Sequence, residues 1–389
     1  MNRPGDRSQE TGGRRARCRV SCVWALAGAV ALAAPATAQE GGPLTADGWR
    51  QAVLGHTMAF PQDHGSHPDY RIEWWYYTGN LAAPGGARYG YQVTFFRIGV
   101  DPSPENPSAW AVRDLFMAHL AVSDVDGERQ WVAERLDRGG VGWAGAREGT
   151  LEVWNGDWRA ELVGERHRLT AFDQDFGLEL ALDPGKPPVL HGEGGLSQKG
   201  ETPGNASYYY SLTRMPTTGR LTIDGTEVEV AGTSWMDHEF GTSFLEPGQV
   251  GWDWFSLQLD DGSEVMLFQL RRNDGGSPRL AGTWVMPDGT TRAIQPDDIR
   301  LRPGRQWESP TSGAAYPVEW TITLDGPRAQ LDVVSALDAQ ELHTDESTGV
   351  TYWEGAVDVS GTVDGNVAVG RGYLEMTGYV GRPMSEFFR

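Results

Sequence analysis

Residues 220–230 read Arg220-Leu-Thr-Ile-Asp-Gly-Thr-Glu-Val-Glu-Val230, an alternating run that turns at Asp224-Gly225 and continues to Gly241. Asp-Gly between alternating runs is the strongest short-range signal for a two-residue hairpin, because both residues tolerate the left-handed backbone that such a turn needs. The signal recurs at Asp126-Gly127, Asn155-Gly156, Asp261-Gly262, Asp288-Gly289 and Asp364-Gly365, between short runs rich in Val, Thr, Trp, Tyr and Phe. No long segment keeps an apolar period of 3.6 residues. The sequence therefore predicts an all-β chain, an up-and-down antiparallel meander that closes into barrels.

Outward from this hairpin, a repeat emerges. Asp224-Gly225, Gly232, Met236 and Gly241 return 140 residues later as Asp364-Gly365, Gly372, Met376 and Gly381. The openings match as well: Glu73-Trp74-Trp75-Tyr76-Tyr77 and Gly251-Trp252-Asp253-Trp254-Phe255, with Trp75 and Trp254 set 179 apart. Each opening leads through a Gly-containing turn into an alternating strand ending in Arg, Tyr91 to Arg97 and Glu264 to Arg271. Two copies of one meander imply two barrel-like domains, residues 55–245 and 246–389, meeting near Glu246 to Gln249; chance matching in a chain with 51 Gly is the alternative. Residues 39–54 are expected to be a polar linker followed by one capped helical turn within Thr45 to Leu54.

The first 38 residues stand apart. Arg14, Arg15, Arg17 and Arg19 precede an apolar run from Val20 to Ala34, and Ala36-Thr37-Ala38 supplies small residues. That order reads as a secretory signal peptide cleaved near Ala38, giving a periplasmic or secreted protein. An uncleaved anchor is the alternative, although the run is short of the ~20 residues a membrane helix needs. Cys18 and Cys22, both cysteines of the 389-residue chain, lie in this leader. The mature part therefore has no disulfide framework, thiolate metal site or Cys nucleophile. The chain carries −20; its leader holds six Arg against Asp6 and Glu10, so the mature part carries −24. Such an anion does not bind nucleic acid or anionic headgroups by bulk charge, and an apolar, neutral or cationic ligand suits it better.

Three constellations carry candidate chemistry. In Arg71-Ile72-Glu73-Trp74-Trp75-Tyr76-Tyr77, strand alternation puts Glu73, Trp75 and Tyr77 on one face and Trp74 and Tyr76 on the other. A carboxylate among that much aromatic surface needs a partner, and Arg71 shares its face; a buried ion pair is the plain reading. Just upstream, His64 and His67 in Asp63-His64-Gly65-Ser66-His67 read as loop caps or as weakly spaced metal ligands. In Ser234-Trp235-Met236-Asp237-His238-Glu239-Phe240-Gly241, Trp235, Asp237 and Glu239 share one face, with the carboxylates roughly 6–7 Å apart along the strand. Burial would push one of them toward the protonated form, as a general acid near neutral pH requires; a solvated edge or salt-bridge cluster is the alternative. In Trp252-Asp253-Trp254-Phe255, the Asp opposes its two tryptophans, and core packing competes with ligand contact. No Ser sits in a nucleophile elbow and no phosphate-binding Gly loop precedes a helix.

These residues resemble the carotenoid 1,2-hydratase/AttH-like family, also labelled predicted secreted hydrolases. The matching pieces are Asp63-His64-Gly65-x-His67, Glu73 to Gly79, Phe95-Phe96-Arg97, Ala118-His119-Leu120-Ala121 with Ser123-Asp124, Tyr208-Tyr209-Tyr210-Ser211, Ser234 to Gly241, and Gly251 to Phe255. The resemblance spans about residues 55 to 300 and implies two tandem lipocalin-like antiparallel β-barrel domains. It further implies an apolar lipid or isoprenoid ligand and, in some members, addition of water to a terminal C=C bond. Other members look like accessory proteins of ABC-type transporters. One departure stands out: Val265 to Arg271 has no acidic residue where the hydratase branch carries one.

Two readings follow. As a hydro-lyase or hydrolase without cofactor or metal, the protein would use Asp237 as proton donor, His238 or Glu239 to activate water, and Trp75, Trp235 and Trp254 to stabilise a cation. Glu73, Trp74, Tyr76, Trp252, Asp253 and Phe255 complete the expected ligand-binding set. As a non-catalytic carrier, a barrel lined with aromatics would hold the lipid and pass it to an ABC-type membrane transporter. A metal site would need His64, His67, His119 and His238 to converge.

Overall fold

The computed structural model describes residues 42–108 and 110–387. The leader, its cysteines and the Ala38 junction lie outside the described residues. Helix among the described residues is confined to 3-10 turns at Gln62–His64 and Pro296–Asp298 and to Met384–Phe387. The helical turn expected within Thr45 to Leu54 is a tight loop instead. Thr45 Oγ1 does accept the Trp49 N–H at 3.1 Å, but Gly48 takes a φ of +90° and Leu44 bridges Arg50. The positive φ reverses the chain before a helix can propagate, and Trp49 is buried against Gly99, where any side chain would strike its ring.

The strands form two large antiparallel sheets. In the first, Ile72–Ala82, Arg88–Gly99, Asp114–Asp124 and Arg129–Arg138 pair in chain order, and the long strand Thr226–Ser243 returns to pair with Ile72–Ala82. Ala206–Ile223 follows, and then shorter strands back to Ala144–Ala146. Bridges from Gly139 and Gly140 to Ala144 join the two ends of this path, so the sheet nearly closes into a barrel. The second sheet repeats the plan. Gln249–Leu259, Glu264–Arg272, Arg279–Val285 and Thr291–Ile294 pair in order, and Asn366–Met376 returns to Gln249–Leu259. The chain changes sheets between Ser243 and Gln249.

The hairpin read from the sequence is present in both sheets. Asp224 and Gly225 have φ of +47° and +74°, and Asp364 and Gly365 have +50° and +79°, the twist that suits the flanking strands. Counting from these turns, Met236 pairs with Tyr77 and Met376 with Asp253. The opening strands thus align Tyr77 with Asp253, three residues out of step with the Trp75–Trp254 match in sequence. An odd slip exchanges the faces of a strand. Trp75 accordingly lies in the core of the first barrel, whereas Trp254 lies outside that of the second.

Trp75, Tyr77, Tyr91, Phe95, Trp131 and Trp158 fill the first interior, and Phe255, Trp284, Trp320, Trp353 and Leu374 the second. Burying side chains of this size contributes roughly 1.5–3 kcal/mol each. The aromatics expected to line a ligand-holding barrel are packed on one another, as close-packed cores are. A third cluster, Tyr76, Tyr209, Trp235, Trp254, Phe268 and Tyr373, forms where the outer faces of the two sheets meet. Polar contacts tie the sheets there. Arg88 grips Asp358 through both nitrogens at 3.1 and 2.7 Å, Asn80 Nδ2 donates to Gly372 O at 3.0 Å, and Lys186 pairs with the buried Glu264 at 2.7 Å.

Candidate functional site

The strand Thr226–Ser243 separates the site residues by parity. Trp235, Asp237 and Glu239 point outward to the second sheet, and Met236, His238 and Phe240 point the other way. The outward residues open on a cavity between the sheets, with about 1110 Å³ of non-atom space when its mouth is included. Trp74, Tyr76, Phe96, Tyr209, Trp252, Trp254, Phe268 and Leu270 give it apolar walls. Of the residues singled out in the sequence, Asp237, Glu239, Trp74, Tyr76, Trp252 and Trp254 reach this cavity, and Trp235 backs it through its bond to Asp237. Four do not. Trp75 lies in the first core, Glu73 and His238 form a buried node on the same inner side, and Asp253 and Phe255 face the second interior. His238 is therefore not a partner of Asp237: neighbours along a strand cannot share a face.

Asp237 is 4% exposed and accepts hydrogen bonds from Trp235 Nε1 at 2.6 Å, from the Tyr209 hydroxyl and from Ser211 Oγ. Trp254 Nε1 in turn donates to the Tyr209 hydroxyl at 3.0 Å, and His191 Nε2 lies 2.6 Å from Ser211 Oγ. Burial pushes the Asp237 carboxyl up to about 7, outweighing its three donors, and the nearby Glu239 adds to the rise. Glu239 has a cation instead: Lys199 Nζ stands 2.6 Å away, and Ser207 Oγ donates as well.

Two further acids line the cavity from the second sheet, Glu354 and Glu375. Glu375 accepts the Trp252 Nε1 proton at 2.9 Å, and burial lifts it to about 7, with Asp237 and Glu239 adding to the rise. Glu354 is fully buried and accepts from the Tyr76 hydroxyl; burial and then Glu375 raise it well above the usual carboxylate range. Sequence reading missed both, together with Lys199 and Tyr209. A signal existed: Glu354 interrupts Tyr352-Trp353-Glu354-Gly355, and Glu375 interrupts Tyr373-Leu374-Glu375-Met376, each a lone acid in an apolar strand.

The inner face carries the opposite arrangement. Glu73 is fully buried, 3.0 Å from Arg97 Nε, 3.0 Å from His238 Nε2 and 2.8 Å from His67 Nδ1, and Ser66 Oγ donates to it at 2.9 Å. Burial would raise its pKa, but the Arg97 charge and the histidine hydrogen bonds together hold it well below the carboxylate range. The guanidinium that meets Glu73 is thus Arg97, from the adjacent strand, and not the Arg71 expected from parity. His67, Glu73 and His238 bring ligand atoms within 4.8 Å of one another, the geometry of a metal trio. Arg97 already supplies positive charge there, so the donor set suits a hydrogen-bonded ion pair better than a cation. The four histidines do not converge: His119 faces the cavity side, where Nδ1 lies 2.8 Å from the Tyr352 hydroxyl. Asp253 makes a similar ion pair in the second half, 3.1 Å from Arg271 Nε and 2.9 Å from the Tyr379 hydroxyl.

Comparison with known proteins places this geometry. The family model AttH-like matches residues 51–379. A solved structure of a candidate AttH protein from Nitrosomonas europaea is 38% identical, with a TM-score of 0.77, covering 85% of this chain and 99% of that one. Kievitone hydratase from Nectria haematococca shares the fold at 17% identity and a TM-score of 0.66, covering 87% of this chain and 97% of its own. CghA, solved with Sch210972, follows at 16% identity and a TM-score of 0.52, with 80% and 89% covered. No curated protein sequence matches significantly.

Proposed function

The chain belongs to the AttH-like family and shares its fold with a hydratase, and from that premise we propose that it adds water to a terminal C=C bond of an apolar, isoprenoid-type ligand held between the two sheets. One observation carries the reading: a buried carboxyl, Asp237, lifted to about 7 and facing an apolar cavity. An acid of that strength is protonated over much of the neutral range and still strong enough to give up its proton, the balance that general-acid catalysis favours. Protonation of the inner carbon of the terminal double bond leaves a tertiary cation on the dimethyl-bearing end carbon, beside Trp254 and Tyr76, whose ring faces stabilise positive charge. Water then closes the alcohol. Neither step needs a cofactor.

The test uses squalene, an acyclic isoprenoid ending in trisubstituted double bonds, incubated with the protein in ¹⁸O-water. Formation of a labelled tertiary alcohol that disappears in Asp237→Asn supports the reading. Recovery of unchanged squalene, and of a lycopene control, sinks it.

A second reading has its own observation. The strand Glu264–Arg272 turns Met266, Phe268 and Leu270 toward the meeting face and brings no acid where the hydratase branch carries one. On this reading the protein is a carrier, exported behind its leader and delivering a lipid to an ABC-type transporter. A lipid that co-purifies unmodified, with the Asp237→Asn protein binding it equally, is the outcome that distinguishes it.

A further inference from the structure

The two acids of the second sheet are placed in a way that the hydratase reading does not use. Register sets Glu354 directly opposite Glu375 in the ladder between Val350–Val363 and Asn366–Met376. Side chains so opposed start about 4.5–5.5 Å apart at Cβ. Both line the cavity. The positive charge on that lining is elsewhere: Lys199 is held by Glu239, and burial brings His119 down to about 3, which leaves it neutral. Around the pair stand the Tyr76 hydroxyl on Glu354, the Trp252 indole on Glu375, Tyr352 and Tyr373 at the sides, and Asp237 and Glu239 across the cavity. Two carboxylates without a counter-ion, out of bulk water, cannot both ionise.

An independent observation gives the pair a direction. Glu354 Oε2 is buried, belongs to a cavity-lining residue and has no hydrogen-bond partner, and Gln92 Oε1 is in the same condition; the buried Tyr373 hydroxyl is likewise unpaired. Buried polar atoms are rarely left unpaired, and a group of them around a cavity fits a bound water or a ligand hydroxyl.

We propose that Glu354 and Glu375 share one proton as a carboxyl pair, and that the pair is the base that takes the proton of the attacking water, on the wall opposite Asp237. The catalytic half of this rests on the hydratase reading; the proton sharing does not. Asp237 gives its proton to the inner, singly substituted carbon of the terminal double bond, a C–H bond forms there, and loss of the π electrons leaves the terminal dimethyl-bearing carbon cationic. The water oxygen bonds to that carbon and yields one proton to the carboxylate of the pair. One alkene and one water become one tertiary alcohol, with a proton moved from Asp237 to the pair and restored by exchange with solvent. Acid and base on facing walls explain why the cavity is built between two sheets rather than within one.

The test separates the two halves. Infrared titration of the carboxyl C=O stretch in the ligand-free full-length protein compares the parent with Glu354→Gln and Glu375→Gln. Sharing predicts that removing either acid lowers the titration of the other by at least one pH unit, since the like charge is gone. Independent titration overturns the pair whether or not squalene is hydrated. Should Glu354→Gln fail to fold, Glu375→Gln, with the titration of Glu354 followed, makes the same comparison by itself. In the ¹⁸O assay, Glu375→Gln is expected to lose about 10²-fold in rate. It should also lose the acid limb of the pH–rate profile and keep the alkaline limb set by Asp237. Coupled titration with hydration within twofold of the parent overturns the base assignment. No hydration by the parent sinks the underlying reading and leaves the titration result intact.

Discussion

Glu73 and Asp237 sit on neighbouring strands, three rungs apart in one ladder, and face opposite ways. Both are buried. Glu73 has a guanidinium, two imidazoles and a hydroxyl around it and stays ionised; Asp237 has neutral donors only and is pushed toward its protonated form. Burial alone therefore does not distinguish a structural acid from a reactive one. Between these two, the presence of a cation does. A buried carboxylate with its counter-ion stabilises the node it belongs to once formed, whereas a buried carboxyl without one keeps a transferable proton.

The largest test of this contrast is Glu73→Gln. Removing one partner of a buried pair strands the other, and Arg97 has Asp114 as its remaining carboxylate at 2.9 Å. The expected loss is about 3–5 kcal/mol of stability, read from denaturant unfolding, with the turnover of the surviving folded protein unchanged. A loss below about 1 kcal/mol would make Glu73 no more structural than a surface acid.

Next in size, Asp237→Asn should cost about 10²-fold in ¹⁸O-alcohol formation with little change in melting temperature, because the neutral amide still accepts from Trp235 and escapes the desolvation penalty. A fall in melting temperature with intact activity would exchange the roles assigned to the two faces.

The pH dependence of stability should carry opposite signs. The folded-state pKa of Glu73 is depressed, so its contribution is present above the unfolded value of 4.5 and is lost as pH falls below it. That of Asp237 is raised from 3.8 to about 7, so the unfolded chain releases this proton first and stability declines as pH rises through that interval. Unfolding midpoints from pH 3 to 8 should show the decline flattened in Asp237→Asn and the acid-side loss flattened in Glu73→Gln. The same slope in both variants would merge the two nodes into one.

The smallest effect belongs to Trp254→Phe. It removes the indole donor to Tyr209, at a cost of about 1 kcal/mol, and weakens by one step the hydrogen bonding that restrains the Asp237 pKa. The alkaline limb of the pH–rate profile should move up by a fraction of a pH unit. Movement downward would mean that Tyr209 does not donate to Asp237.

Much of this was legible along the chain, because strand alternation and Asp-Gly turns are local. The faces of Trp74, Trp75, Asp237 and His238 follow from parity, and the 140-residue spacing of the hairpins survives in both sheets. What failed was pairing at a distance. Parity alone assigns Arg71 to the face of Glu73, but Arg71 precedes the strand, and Arg97 lies directly opposite Glu73 across the ladder, where register rather than sequence proximity decides the partner. The Trp75–Trp254 match was misleading because both halves favour tryptophan at that end for different reasons, core filling in one and cavity lining in the other. Glu354 and Glu375 went unnoticed because each is a single acid in an apolar strand, and their significance arises only when two strands are laid side by side.

The separate hydrogen bonding of the two sheets has an evolutionary consequence. Each half completes its own ladder, with Thr226–Ser243 returning to Ile72–Ala82 and Asn366–Met376 to Gln249–Leu259, so neither needs the other for its backbone hydrogen bonds. The cavity belongs to neither half, and its acids are divided between them. Selection can therefore alter one wall while the other is kept: a change at Phe268 reshapes the cavity without touching the register around Asp237. A duplicated meander is in this sense a two-part mould, and relatives of one ancestry can come to hold very different molecules by recutting a single side.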